Sequence, residues 1–506
     1  MNKTKFIILA IFVSMTFMSL QSCRRSASNS TGWEYNNPRN GGFEVAPFEE
    51  QMTGPGLILI EGGTFVMGRA EQDVMYEWNN TPRRVTVSSF YMDEVEIRNL
   101  DYLEYLHWLY RVFVPADYAV VYRKALPDTL VWRNKLAYNE PYVEYYLRHP
   151  AYREYPVVGV SWEQANDYCA WRTDRVNEMI LVETGVIVLT PEPSAEGYFS
   201  TEAYLSYEDY EGNSDRRFQN LVSGEFRNAK MEDGILLPSY RLPTEAEWEF
   251  AALGLIGNTL GERILERRLY PWNGHITRTD DSRFYGDFVA NMRRGKGDYM
   301  GIAGHLNDAA DVTAPVYSYW PNDYGLYNMG GNVSEWVMDV YRNQSHEYVN
   351  EFRPFRGNVY KTKVIEDVEE NLIAERDTIG KIPMAPVSDF KNNRRRNYRQ
   401  SDNINYQDGD FGSNVLTDGT SNWNNKSGSL NTRSMYSSDP MNVQSQDIYS
   451  LVTDKSRVYK GGSWKDMQYW MGPGQRRFLE QDEATDYIGF RCAMARLGAP
   501  ISRGGR

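Results

Sequence analysis

Tyr324-Gly325-Leu326-Tyr327-Asn328-Met329-Gly330-Gly331-Asn332-Val333-Ser334-Glu335-Trp336 is the stretch whose reading decides the fold. Its adjacent glycines let the backbone turn tightly and carry carbonyls toward a common point. An amide, Asn328, stands before the turn and a carboxylate, Glu335, after it. That donor set suits a hard cation such as Ca²⁺. It also suits a glycine turn that closes two core strands and buries Trp336, and motifs this short match by chance.

Six further segments accompany it in chain order. They are Glu61-Gly62-Gly63-Thr64-Phe65-Val66-Met67-Gly68, Phe90-Tyr91-Met92-Asp93-Glu94-Val95-Glu96 and Tyr155-Pro156-Val157-Val158-Gly159-Val160-Ser161-Trp162, then Arg241-Leu242-Pro243-Thr244-Glu245-Ala246-Glu247-Trp248-Glu249, Lys460-Gly461-Gly462-Ser463-Trp464 and Gly489-Phe490-Arg491-Cys492. Seven motifs in register over about 57–495 resemble the formylglycine-generating-enzyme (sulfatase-modifying factor) family. The resemblance implies an α+β, C-type-lectin-like fold over residues 52–495, broken by insertions at about 173–238 and 341–457. It does not imply the activity, because function resides in a site and not in a fold.

A chain of 506 residues can bury one large core or two smaller ones, and an aromatic content of 14% argues against disorder. The N-terminus reads as an export signal: Lys3 and Lys5 precede an apolar run over 6–20. Leu20-Gln21-Ser22-Cys23 resembles a bacterial lipobox, which implies that 1–22 are removed and Cys23 is acylated. Arg24 and Arg25 follow in place of an aspartate, so the resemblance favours the outer membrane, with the chain lipid-anchored on its periplasmic face. Removing 1–22 takes away two lysines and no acid, moving the net charge from −13 to −15. Such a balance excludes nucleic acid as a natural partner.

Residues 23–51, rich in Ser, Asn, Gly and Pro, read as a tether. An apolar strand over 57–60 is expected to form a hairpin with 65–68, and 84–91 to form another strand. Asn99 is a candidate N-cap for a helix carrying Tyr102, Leu106, Leu109 and Phe113. Residues 115–150 lack periodicity and read as an irregular elaboration. Ser161 with Gln164, and Thr244 with Glu247, have the spacing of capping boxes. The first insertion suits an exposed contact surface. The middle of the second, 391–434, is crowded with Asn, Ser, Asp, Arg and Gly and cannot order itself alone. Core strands are expected at 458–464 and 488–494, ahead of a basic tail over 496–506.

In the resembled family, oxidase activity depends on two nearby cysteines that bind copper(I), an ion suited to soft thiolates. The corresponding positions here are Met471 and Arg476, and neither can form a thiolate, so no catalytic residue and no copper are expected. Cys169 and Cys492 match the positions of a family disulfide. His107, His149, His275, His305 and His346 are too scattered to suggest a metal site. Carried over residue by residue, one structural Ca²⁺ site falls on Asn328, the Gly331 and Val333 carbonyls and Glu335. The other falls on Asn291, the Met292 carbonyl, Asp308 and the Ala310 carbonyl.

Loss of copper ligands, a lipid anchor and two insertions together look like the gliding-motility and type IX secretion lipoproteins of the Bacteroidetes. Residues 73–82 and 402–410 are most like that group. The resemblance implies a non-catalytic scaffold whose partners are other envelope proteins of that machinery. Alternatives are an enzyme using a polar pocket near Ser463, Arg476 and Arg477, or a ligand-binding module on the lectin-like fold.

Overall fold

A computed structural model describes residues 27–498 except 42, 70–79, 81, 207–209, 211, 215–217, 257–267, 273–275, 294–309, 311, 342–360, 368–371, 378–379, 387–403 and 406–454. The folded part begins with strands β1 (Leu57–Ile60), β2 (Gly63–Met67), β3 (Arg83–Val87) and β4 (Phe90–Asp93). β2 pairs antiparallel with β3, Phe65 opposite Val85, whereas β1 pairs with β4, Leu59 opposite Tyr91. The expected hairpin of 57–60 with 65–68 therefore does not form, and the expected strand over 84–91 breaks at Ser88-Ser89. Both strand pairs change sheets at one corner. Gly62 permits this crossing, because a β-carbon there would lie 2.3 Å from the Val87 carbonyl oxygen.

Helices α1 (Asn99–Phe113) and α2 (Trp162–Glu183) pack their aromatic faces together. Tyr102 stacks on Tyr168 with centroids 5.7 Å apart, and Tyr168 meets Phe490 edge-on at 5.4 Å. Asn99 is the first residue of α1 rather than its cap. Asp101 accepts the Arg98 backbone N–H at 3.2 Å, freeing Asn99 to donate to the Tyr146 and Tyr152 carbonyls. Those bonds pin the 115–150 elaboration, which holds the short helices Ala119–Ala125 and Glu140–Tyr145. The Ser161–Gln164 capping box opens α2 as its spacing predicts.

α2 runs into the first insertion, which closes a small core of its own around Leu181, Phe199, Tyr204 and Leu236. It is thus more than an exposed surface: its aromatics find partners within the insertion itself. Strand β5 (Tyr240–Arg241) leads to α3 (Glu245–Leu253), every residue of which is buried and which Thr244 and Glu247 cap reciprocally. Phe250 of α3 meets Phe65 of β2 edge-on at 5.2 Å.

The closing strands are β6 (Ser334–Val340), β7 (Ser456–Lys460), β8 (Arg477–Glu480), β9 (Ile488–Gly489) and β10 (Ala493–Ala495). One antiparallel sheet runs β1-β4-β10-β5, and a second runs β8-β7-β6-β9, with β9 parallel to β6. The span 488–494 therefore serves two sheets, changing between them at residues 490–492. Ile404–Asn405 of the second insertion pairs parallel with β3, and the rest of 391–434 lies outside the described residues. From Glu44 onward the expected tether is tied down: Glu44 pairs with Arg227 at 2.8 Å and Glu50 with Arg496 at 2.6 Å. Among the described residues, no helix is long and apolar enough to cross a membrane.

Candidate functional site

The central turn holds three left-handed residues in a row of five: Asn328 (φ 54°), Gly331 (φ 90°) and Asn332 (φ 63°). At Gly331 a β-carbon would lie 2.5 Å from the Asn291 carbonyl oxygen, so only glycine lets the two backbones approach. The Gly331 N–H donates to the Gly461 carbonyl at 2.9 Å, which joins the turn to the second glycine motif.

Beneath the turn lies a fully buried charge hub drawn from four motifs. Arg491 grips Glu335 with two bonds, Nη2 to Oε1 at 2.6 Å and Nε to Oε2 at 2.7 Å. Trp248 Nε1 donates to the same Oε2 at 2.7 Å, and Arg491 also donates to the Asp93 and Tyr327 carbonyls. Glu96 accepts from Asn328 Nδ2 at 2.8 Å and from Asn332 Nδ2 at 3.1 Å. Burial pushes the Glu96 carboxyl up to about 8, against the pull of Arg491. Sequence reading singled out Glu335 but missed Glu96, Trp248 and Arg491. The signal was available: each is a polar or charged residue inside a motif otherwise made of core residues.

These bonds bear directly on the Ca²⁺ expectation. A carboxylate has about four lone-pair sites, and Trp248 and Arg491 take three of those on Glu335. Asn328 Oδ1 and the Gly331 carbonyl accept no hydrogen bond among the described residues. Val333 is buried beside them. Asn291 donates to the Val312 carbonyl at 2.8 Å and to Asn332 Oδ1 at 3.2 Å, so the turn meets the other expected site through an amide pair. Met292 and Ala310 are buried, and Asp308 lies outside the described residues. No group of three or more His, Cys, Asp or Glu able to hold a metal occurs among the described residues.

At Met471 and Arg476, the positions that the family resemblance assigns to the copper ligands, packing and charge fill the space. Met471 is fully buried with Tyr270, Phe288 and Met292, its thioether against Gly462. Arg476 pairs with Glu245 at 2.6 Å, and Lys460 bridges Glu245 at 3.2 Å and Glu249 at 2.8 Å. Burial acts against the Glu245 charge, yet Arg476 and Lys460 hold its carboxyl down at about 2. Ser463 and Arg477 are likewise committed, both to Asp466. Among the described residues Ser463 and Arg477 are thus tied to Asp466, and Arg476 to Glu245.

Cys169 and Cys492 are brought together as buried thiols with their sulfurs 3.2 Å apart, beside the Asp93–Arg172 ion pair and away from Arg476. An open cleft of about 310 Å³ does exist elsewhere, with Asn328, Met329 and Gly330 among its walls and the aromatic rings of Trp272, Phe284 and Trp320 beside them.

Comparison with known proteins agrees with this convergence of motifs. The chain is 25% identical over 283 residues to the formylglycine-generating enzyme of Mus musculus, an alignment covering 56% of this chain and 58% of that enzyme. It is 25% identical over 301 residues to the formylglycine-generating enzyme of Thermomonospora curvata, covering 59% of this chain and 75% of that one. It is 26% identical over 304 residues to the inactive C-alpha-formylglycine-generating enzyme 2 of Bos taurus, covering 56% and 71%. The relatives thus include both an enzyme class and a protein named inactive. Residues 42–383, more than half of the chain, match the sulfatase-modifying factor enzyme 1-like domain, and the chain belongs to that family.

Proposed function

We propose that this chain is a non-catalytic member of its family that serves as a scaffold in an envelope assembly. The observation that carries the proposal is the fate of the two copper positions: Met471 is sealed in an apolar cluster, and Arg476 is locked to Glu245. A soft cation has no thiolate to bind there. Supporting it, the family holds a relative named inactive, and a lipobox-like Leu20-Gln21-Ser22-Cys23 stands at the N-terminus. On this reading Cys23 is lipidated and the chain sits at the periplasmic face of the outer membrane. Its partners are other components of the gliding-motility and type IX secretion machinery. The segments at 73–82 and 402–410 favour the J-type gliding lipoprotein, with the K-type ring lipoprotein as runner-up. Crosslinking in intact cells followed by mass spectrometry should recover envelope machinery; recovery of small soluble clients alone counts against the role. Incubation with copper(I) and a cysteine-bearing sulfatase peptide should yield no formylglycine, and turnover there would restore the enzyme reading.

The uncommitted oxygens of the central turn also support a structural Ca²⁺. Asn328 Oδ1, the Gly331 and Val333 carbonyls and the remaining site on Glu335 would hold it, giving stability and no chemistry. The second ion would fall on Asn291, the Met292 and Ala310 carbonyls and Asp308. Chelation should lower the unfolding temperature and millimolar Ca²⁺ restore it; a melting curve blind to both would exclude the ions.

A further inference from the structure

We propose that the face formed by residues 27–48 and the tip of the 218–227 hairpin docks on the bilayer, seating its exposed aromatic side chains in the lipid headgroup layer. The inference deepens the reading of Cys23 as lipidated and rests on it. Ala27 stands four positions after Cys23. Four residues span at most about 14 Å even when fully extended. Ala27 is itself fixed: it bridges to Glu34, and the Ser28 N–H donates to the Trp33 carbonyl at 2.8 Å. An acylated Cys23 therefore holds Trp33, which is 64% exposed, close to the lipid surface. Residues 27–45 close on themselves through Asn36, whose side chain accepts the Val45 N–H at 2.7 Å and donates to the Val45 carbonyl at 2.9 Å. They form a built unit and not slack between anchor and domain.

That unit is joined to the first insertion. Glu44 accepts the Leu221 N–H at 2.8 Å with one oxygen and pairs with Arg227 at 2.8 Å through the other. Leu221 and Val222 lie in the tip of the hairpin that pairs Phe218–Gln219 with Phe226–Arg227, and Val222 is exposed. Phe43, next to Glu44 in the chain, is 69% exposed, and Phe48 is exposed as well. Large apolar side chains from two distant segments thus surround one ion pair. Exposed apolar residues scattered singly need no explanation, whereas a contiguous patch marks an interaction surface.

Reach and charge select the occupant. An acylated Cys23 keeps a bilayer, and not a protein partner, within range of this patch at all times. Two carboxylates of the segment are already neutralised, Glu44 by Arg227 and Glu50 by Arg496 at 2.6 Å, which lowers the cost of bringing them to lipid. The chain's net charge is −13 and becomes more negative once 1–22 are removed, so anionic headgroups repel it. The attraction that remains is apolar burial, together with the preference of tryptophan for the headgroup layer. Docking of this kind is insensitive to salt.

The test places the mature acylated chain in vesicles of phosphatidylethanolamine and phosphatidylglycerol, with a nitroxide label carried by Phe43→Cys or by Val222→Cys. Leu136→Cys, exposed on the 115–150 elaboration, is the control, and the buried Cys169 and Cys492 escape the label. Collisions with a water-soluble nickel chelate should fall about fivefold at positions 43 and 222 relative to the Cys23→Ser chain in buffer, and stay unchanged at 136. Equal collision rates at all three positions would overturn the docking and leave lipidation standing. Mass spectrometry showing an unacylated Cys23 would overturn both, because the distance argument goes with the anchor. Protection abolished in about 1 M NaCl would refute the apolar attraction. Protection that requires added envelope proteins, and is missing with lipid alone, would give the face to a protein partner instead. All three substitutions fall on exposed positions, so unchanged thermal unfolding serves as the folding control.

Discussion

Arg491 does more than any other single residue to unite the motifs, since its guanidinium touches Glu335 and the backbone carbonyls of Asp93, Glu94 and Tyr327. Removing one member of a buried pair leaves an uncompensated charge, so Arg491→Leu should cost about 3–5 kcal/mol in urea unfolding. The double change Arg491→Leu with Glu335→Leu should recover part of that loss; a double variant no better than the single would refute the ion-pair account. Glu245 sets a pH dependence. Its folded value of about 2 lies below its ordinary 4.5, so it adds stability that is complete above pH 4.5 and lost as pH falls toward 2. Glu245→Gln leaves Arg476 and Lys460 short of a counter-charge, so it should be less stable at neutral pH yet lose less stability below pH 4.5. An acid unfolding curve parallel to that of the wild type would contradict this.

Elements follow their local sequence where the decision is local. Both capping boxes form as their four-residue spacing predicts, and Thr244→Ala should cost about 1–2 kcal/mol by loss of its bond to the Glu247 N–H. Strand partners do not follow local sequence. Gly62-Gly63 between two apolar runs has the composition of a hairpin, but the runs belong to different sheets. Partner choice is settled by residues as far off as β10, which pairs with β4. The first insertion is an element of its own, and Phe199→Ala should raise hydrogen exchange across 186–237 while β4 and β6 keep their protection. Uniform loss of protection would show that this small core is not separate.

At the scale of the whole molecule, Cys169 and Cys492 tie α2 to the segment joining β9 and β10 across 323 positions. Under oxidising conditions these adjacent thiols are expected to bridge. In the chain-entropy description, closing so long a loop stabilises by about 5 kcal/mol. The oxidised chain should therefore melt well above the reduced one, and Cys169→Ser should abolish the difference. Equal melting with and without reductant would show that the bridge does not form. At the same scale Met471 packs with Tyr270, Phe288 and Met292, while Arg476, just before β8, is tied to Glu245 of α3.

Sequence alone determined the family and the two capping boxes that open α2 and α3. Each depends on residue identity at fixed spacing, which a chain carries in one dimension. Tertiary structure decided which strands share a sheet, that Glu335 is held by Arg491 and Trp248, and that the first insertion has a core of its own. Those outcomes depend on atoms up to several hundred positions apart competing for the same hydrogen bonds and the same buried volume. No local pattern records which of them wins.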